Sequence, residues 1–444
     1  MDEQKYNLKE SLTELDKLFD LSTKETDKTA CEALAKKAKI IYEQYPESED
    51  IALRYAAILV NLSVEQVNVE ELDKTMNSVK QIFEQFQQSE EIALRYAMVL
   101  VNLSVEQVNV EERKNTANLV KQIFEQFQQS EDIALRYAMA LVNLSAEQVN
   151  VEEIGDIVNS VKQIFEQFQQ SEDIALRYAM VLYNLSNRQN DIKERKETIS
   201  EIETLTLKFQ NSEEIALQYA MALVNLSAEQ VNVEEIGDTV NSVKQIFEQF
   251  QQSEDFALQY AMVLYNLSNG QNDIKERKKT ISELEAFTLK FRHSECVALQ
   301  YARALVNLSV EQINVEEIGE TVNSIQQIFE QFKQSEDIAL RYAMALVNLS
   351  AKQINVEEIG ETVNSVKQIF EQFKQSEDIA LRYAMVLYNL SNRRNDIKER
   401  KETISEIETL TLKFQHSEDI ALQYSMALVN LSAKQINVEE IGET

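Results

Sequence analysis

Apolar and polar positions along this chain follow a helical rhythm that restarts every 41 residues. Between Ser130 and Gln170, the residues Ile133, Ala134, Tyr137, Leu141 and Leu144 recur at three- and four-residue steps, which places them on one side of a helix. The pattern breaks over about six residues, from Ser145 to Asn150, a usual length for a helix–helix connection. It resumes with Ile154, Val158, Val161, Phe165 and Phe168, opposite a polar face of Glu152, Lys162, Gln163, Glu166 and Gln169. Start signals agree with this division. Ser130 can cap the first helix, with Glu131 and Asp132 in the turn where the helix dipole favours negative charge. Asn150 followed by Glu153 has the spacing of a capping box at the start of the second. Each unit is expected to form two amphipathic, antiparallel helices.

The Ser-Glu-Asp/Glu landmark that opens a unit begins at Ser48 and returns at Ser89, Ser130, Ser171, Ser212, Ser253, Ser294, Ser335, Ser376 and Ser417, with Cys296 alone replacing the third residue. A fixed period of this length, without insertion or deletion, signals units that bury their apolar faces against their neighbours. The fold class predicted is all-α: an α-solenoid superhelix of two-helix repeats, eleven units in all. Residues 1–47 read as a divergent N-terminal capping repeat. In it Leu12, Leu15, Leu18 and Leu21 stand where Leu53, Ala56, Leu59 and Leu62 stand in the next unit, amid a more charged composition. Residues 48–444 read as tandem repeats, the last incomplete, because Thr444 falls within a second helix. That uncapped end is a candidate surface for self-association.

The second helix comes in two versions. One reads Val-Glu-Glu-Ile-Gly; the other, at Asp191–Phe209, Asp273–Phe291 and Asp396–Phe414, reads Asp-Ile-Lys-Glu-Arg-Lys. Both keep the apolar stripe, so the difference is expected on the outer, solvated surface, as drift after duplication or as altered contacts.

Composition sharpens this picture. One proline and six glycines in 444 residues leave little room for sheets or long loops. A formal charge of −31 opposes phosphate backbones and anionic membranes, which disfavours nucleic acid and membrane partners. Cys31 and Cys296, far apart and in different units, suit reduced thiols. The N-terminus lacks a basic start followed by an apolar core, and no stretch reaches the length of a membrane span. A cytoplasmic protein is expected.

The junction Tyr42-Glu43-Gln44-Tyr45-Pro46-Glu47-Ser48-Glu49-Asp50-Ile51-Ala52-Leu53-Arg54-Tyr55-Ala56 resembles a tetratricopeptide repeat passage: an aromatic helix end, a proline, a capped acidic turn, and a helix with a small residue, Ala56, at a packing point. The period of 41, the lack of tryptophan and the single proline depart from that family's 34-residue unit, and the period suits HEAT or armadillo units equally. Any of these resemblances implies that the concave face binds a peptide or protein.

Three ladders occupy one side of the first helix. The first is Arg54, Arg95, Arg136, Arg177, Gln218, Gln259, Gln300, Arg341, Arg382 and Gln423. Three residues on stand Met98, Met139, Met180, Met221, Met262, Met344, Met385 and Met426, with Ala57 and Arg303 as exceptions. Seven residues on from the first come Asn61, Asn102, Asn143, Asn184, Asn225, Asn266, Asn307, Asn348, Asn389 and Asn430. Offsets of three and seven share a helix face. Arg can grip carboxylates in a two-pronged fork, Asn can pair with a peptide backbone, and Met offers an adaptable apolar surface. The arginine and asparagine ladders are therefore candidate partner-binding residues on the concave face. Each has a plainer reading. Asp50 lies four residues before Arg54, in range of an ordinary intrahelical ion pair, and Asn can satisfy frayed carbonyls at a helix end. The tyrosine ladder, Tyr55 through Tyr424, reads as core. The Asn-Leu-Ser sequons read as inert in the absence of a secretory signal.

Catalysis is not expected. His293 and His416 are the only histidines, His293 with Cys296 supplies two ligands where structural zinc needs four, and no phosphate loop or nucleophile elbow is visible. Neither metal nor cofactor is expected. The expectation is a non-enzymatic scaffold that takes a protein or extended peptide, including acidic ones, in its concave face. A passive structural spacer is the alternative, and a nucleic-acid-binding solenoid ranks third.

Overall fold

The computed structural model describes the backbone of residues 2–434 and the side chains of residues 7–434. The expected partial unit at Thr444 and self-association through that end lie outside the described residues. Among those described there are 21 helices, alternating as first and second helices of the 41-residue repeat. The chain is an all-α solenoid of two-helix repeats. It begins with α1 (Asp2–Ser22), α2 (Lys28–Gln44), α3 (Glu49–Val64), α4 (Val69–Gln85), α5 (Glu90–Glu106), α6 (Val110–Gln126), α7 (Glu131–Glu147) and α8 (Val151–Gln167), and continues in this way to the helix Glu418–Ser432.

The helix boundaries follow from capping chemistry. Ser130 Oγ accepts from the Ile133 amide at 3.4 Å, and Asn150 Oδ1 accepts from the Glu152 amide at 2.9 Å. The expected capping box at Asn150 is not closed by Glu153. Gln148 takes that part: its Oε1 accepts from the amides of Val149 and Asn150, while its Nε2 donates to Glu153. Second helices stop at an aromatic residue in a non-helical conformation, Tyr45 in the capping repeat and a phenylalanine after it, such as Phe168, whose amide donates back to Ile164. Three residues later the Ser171 amide donates to the Phe168 carbonyl at 3.0 Å, and the next first helix begins. No described residue has positive φ, so these turns need no glycine, and the array runs with very few.

The chain divides into two compact units, Met1–Leu226 and Ser227–Thr444. Both are built alike. In the first, α3, α5 and α7 pack side by side; in the second, Glu295–Glu311, Glu336–Lys352 and Glu377–Arg393 do the same. The backbones of successive second helices stay further apart. The first helices thus form the tighter, inner layer of each unit, and the second helices cover the seams between them. Alanines allow the close approach: Ala97, Ala138, Ala302 and Ala343 are fully buried. The ladder tyrosines turn toward the second helices and lie in the core, as at Tyr137, whose ring stacks on Phe124 at 5.8 Å, and Tyr342, 5.7 Å from Phe329.

One expectation about the second helices is corrected. The arginine of Asp-Ile-Lys-Glu-Arg does not join an outer charged surface. Arg195, Arg277 and Arg400 are buried, as is Arg113, at the position that Ile154, Ile236, Ile318 and Ile359 fill elsewhere. Arg113 shows why a charge is tolerated there. Its guanidinium donates to the carbonyls of Gln107 (2.5 Å), Val105 (3.2 Å) and Asn143 (2.7 Å), so it ties the end of its own repeat's first helix to the next. Arg400 repeats the arrangement with the carbonyls of Asn392, Arg394 and Asn430. Buried carbonyls at helix ends need donors, and a guanidinium supplies several at once.

Candidate partner-binding face

The arginine, methionine and asparagine ladders lie on the arc of the first helix opposite Tyr137 and its equivalents, hence on the inner layer's free side. The asparagines there are half-buried and already engaged. Asn102 Nδ2 donates to Ser63 Oγ at 2.8 Å, Asn143 to Ser104 at 2.8 Å and Asn184 to Ser145 at 2.8 Å. Asn61, Asn266, Asn348 and Asn389 make the same bond to Ser22, Ser227, Ser309 and Ser350. Ser63, Ser104, Ser145, Ser309 and Ser350 in turn donate to a carbonyl three residues earlier in their own helices, as Ser104 does to Val101. Where the preceding repeat reads Tyr-Asn-Leu-Ser-Asn, the partner changes. Asn225 then donates to Asn187 Oδ1 and the Tyr183 hydroxyl, Asn307 to Asn269 and Tyr265, and Asn430 to Asn392 and Tyr388. Each ladder asparagine thus gives at least one Nδ2 bond to holding neighbouring first helices together.

The arginines present a different case. Arg95, Arg136, Arg177, Arg341 and Arg382 are half-buried, and each lays an Nη1 within 3.3–3.5 Å of the methionine sulfur three residues on, a weak acceptor. Their Nε atoms are buried without a hydrogen-bond partner. Among the described residues of this ladder the intrahelical ion pair is found at Arg54, where Asp50 lies at 3.8 Å and Asp16 of the capping repeat takes the Nε at 2.6 Å. Burial lowers the pKa of Arg136; the Asp132 charge opposes that, and Arg177 and Arg95 reinforce it. Arg341 is lowered in the same way, by burial first and then by Arg303, with Arg382 adding to it and Asp337 opposing. These groups remain cations, held side by side in a partly dry strip. Gln218, Gln259 and Gln423 are half-buried at the matching positions, while Gln300 is buried and accepts from Arg303 at 3.4 Å.

Two further features were not foreseen. Clefts open on the other side, between successive second helices; one of about 470 Å³ is lined by Glu32, Lys36, Lys39, Tyr55, Glu71 and Lys74. Bridges cross those gaps, such as Lys162–Glu201 at 2.5 Å and Lys367–Glu406 at 2.7 Å, and Gln126 and Gln167 reach back to carbonyls of the preceding repeat. The signal for such stitches was a recurring separation of 39, two short of the period. Among the described residues no group of three metal-binding side chains occurs, and no helix is long and apolar enough to cross a membrane.

No family model matches the chain, and no curated protein matches it. Solved structures do resemble it in layout. One, from work described as "A conserved phosphorylation switch controls the interaction between cadherin and beta-catenin in vitro and in vivo", is 11% identical, with 95% of this chain and 91% of that one covered at a TM-score of 0.45. The apo form of RapI is 12% identical, covering 86% and 96% at 0.43, and yeast Tom70 is 11% identical, covering 96% and 97% at 0.37.

Proposed function

We propose that the chain is a non-enzymatic scaffold whose inner face docks an extended protein segment bearing carboxylates, through the arginine row. The observation that carries this reading is the state of Arg95, Arg136 and Arg177: partly desolvated, adjacent, and with Nε donors unmet. Leaving a buried donor unpaired costs about 1–3 kcal/mol, more for a charged group, and an arriving carboxylate would relieve it by a forked pair. Arg54 illustrates the pairing, with Asp16 in the ligand's place. The asparagines also fix the spacing of that face through their bonds to the preceding repeat. The acid partner must be recognised locally, since the chain as a whole is acidic.

The dense stitching between repeats favours a second reading, a stiff spacer. Anisotropy of a fluorescent oligoglutamate, beside an oligoglutamine of equal length, separates the two. The docking reading predicts salt-sensitive binding of the first alone, abolished when Arg95, Arg136 and Arg177 are changed to Glu. Absence of binding by the parent chain would leave the spacer.

A further inference from the structure

A different surface carries its own message. The connection between the two helices of a repeat exposes aliphatic side chains: Val64, Val67, Val105, Val108 and Val149 are 54–86% exposed and belong to three consecutive repeats. Asn102 and Asn143 bind Ser63 and Ser104, each next to one of these valines, so the ends of α3, α5 and α7 are held side by side. The five side chains consequently fall along one edge of the first unit. A lone exposed valine is unremarkable, but a row of them in register forms a patch of the kind that marks an interaction site. The same edge is acidic. Glu65, Glu70, Glu106, Glu111, Glu112 and Glu152 take part in no ion pair among the described residues, while nearby Glu147 and Glu153 are met by Arg113 and Lys114.

We propose that this edge docks a basic amphipathic helix of a partner protein, laid along the repeats with one apolar residue per heptad. Charge selects the sign: lysines and arginines flanking the apolar row would meet the free glutamates, whereas an anionic membrane or a second copy of this edge would be repelled. Spacing selects the helix. Packed helices lie about 8–10 Å apart, so the valines recur at that interval. A helix climbs about 10.5 Å in seven residues and keeps those residues on one face. An extended strand covers the interval in about three residues, an odd step that would turn alternate side chains away. The edge also sets the length. The next repeat places Asn190 where Val149 stands, so the apolar row spans three repeats and suits a helix of about three heptads. A shorter copy recurs in the second unit at Val310, Ile313 and Ile354.

The test uses the full chain and a labelled peptide of about three heptads, with leucine at every seventh position, lysine and arginine beside it, and alanine elsewhere. Its comparator is a peptide of the same composition with the leucines scattered around the helix. The parent chain is expected to prefer the in-register peptide by about tenfold or more, and the variant V67S/V108S/V149S to lose that preference. Those positions are exposed, so circular dichroism and Tm should match the parent. The variant R95M/R136M/R177M should bind the peptide as the parent does, which separates this edge from the inner face. Equal binding of the scrambled peptide, or undiminished binding by the serine variant, overturns the proposal. So would a dimer, or recruitment to anionic vesicles, that the serine substitutions abolish.

Discussion

Arg113 in α6 and Arg136 in α7 both lie withdrawn from water, yet only one has its hydrogen bonds made. Arg113 reaches three carbonyls and lies 3.8 Å from Glu147, and it joins one repeat to the next. Arg136 touches a methionine sulfur, leaves Nε without a partner, and has two further arginines for neighbours. A buried charge is tolerable when paired and hydrogen-bonded, and an orphaned one is a cost the fold must carry. The comparison separates an arginine whose bonds to carbonyls join two repeats from one whose guanidinium meets no oxygen acceptor in the protein. Arg54 stands apart, because the capping repeat supplies Asp16 where later repeats supply Met, Ala or, at Arg303, a further arginine.

Alkaline titration should produce the largest effect. Burial raises Tyr55, Tyr96 and Tyr137 from the ordinary 10 to about 12, with Glu43, Glu84 and Glu125 adding to it in turn. A group whose folded pKa is raised contributes stability that is complete below its unfolded pKa and lost as pH rises through the folded one. Helical dichroism and tyrosinate absorbance should therefore change together between about pH 10 and 12. Full tyrosinate absorbance near pH 10 with helices intact would contradict the burial of that ladder.

Next in size is the loss of an inter-repeat tie. Arg113→Ala strips donors from three carbonyls and should cost about 3 kcal/mol of local stability. Because a repeat array opens in parts, hydrogen exchange across α6 and α7 is the suitable readout. Arg113→Ile, which copies Ile154, should recover most of the loss, since a hydrophobe can replace a buried charge at little net cost. Equal protection in the parent and the alanine variant would show that Arg113 does not tie the two repeats together.

A smaller effect would sharpen the comparison from the other side. Met98 stands to Arg136 as Asp16 stands to Arg54, 38 residues earlier. Met98→Asp should build the missing pair, with a gain of about 0.5–1 kcal/mol, and weaken oligoglutamate binding by occupying the row. A variant that binds oligoglutamate as tightly as its parent would place the acid elsewhere.

Much of the fold was legible because helical periodicity, serine and asparagine caps and an unbroken period all point to one architecture. The apolar stripe through Ile133, Tyr137, Leu141 and Leu144 needed no further context. Arg195 and its equivalents escaped because a polar residue on an amphipathic pattern reads as solvated, and nothing local records the carbonyls waiting for it. The asparagines were visible as a ladder, but their partner lies 39 residues earlier, at a serine that looks like any helix-end serine. Val67 and Val108 sit in a connection between helices, where periodicity carries no information about exposure. Sequence pattern reveals which face is apolar; it does not reveal which polar groups find each other across a repeat boundary.

The central claim, that the inner arginine row is held unpaired for an acidic ligand, is tested most directly by thermal unfolding of the parent chain and of R95M/R136M/R177M, each with and without polyglutamate. An unliganded variant at least as stable as the parent is expected, because each arginine gives up only a weak contact to a methionine sulfur, and polyglutamate should raise the Tm of the parent alone. A destabilised variant, together with a parent indifferent to polyglutamate, would show these arginines to be structural and would contradict the account.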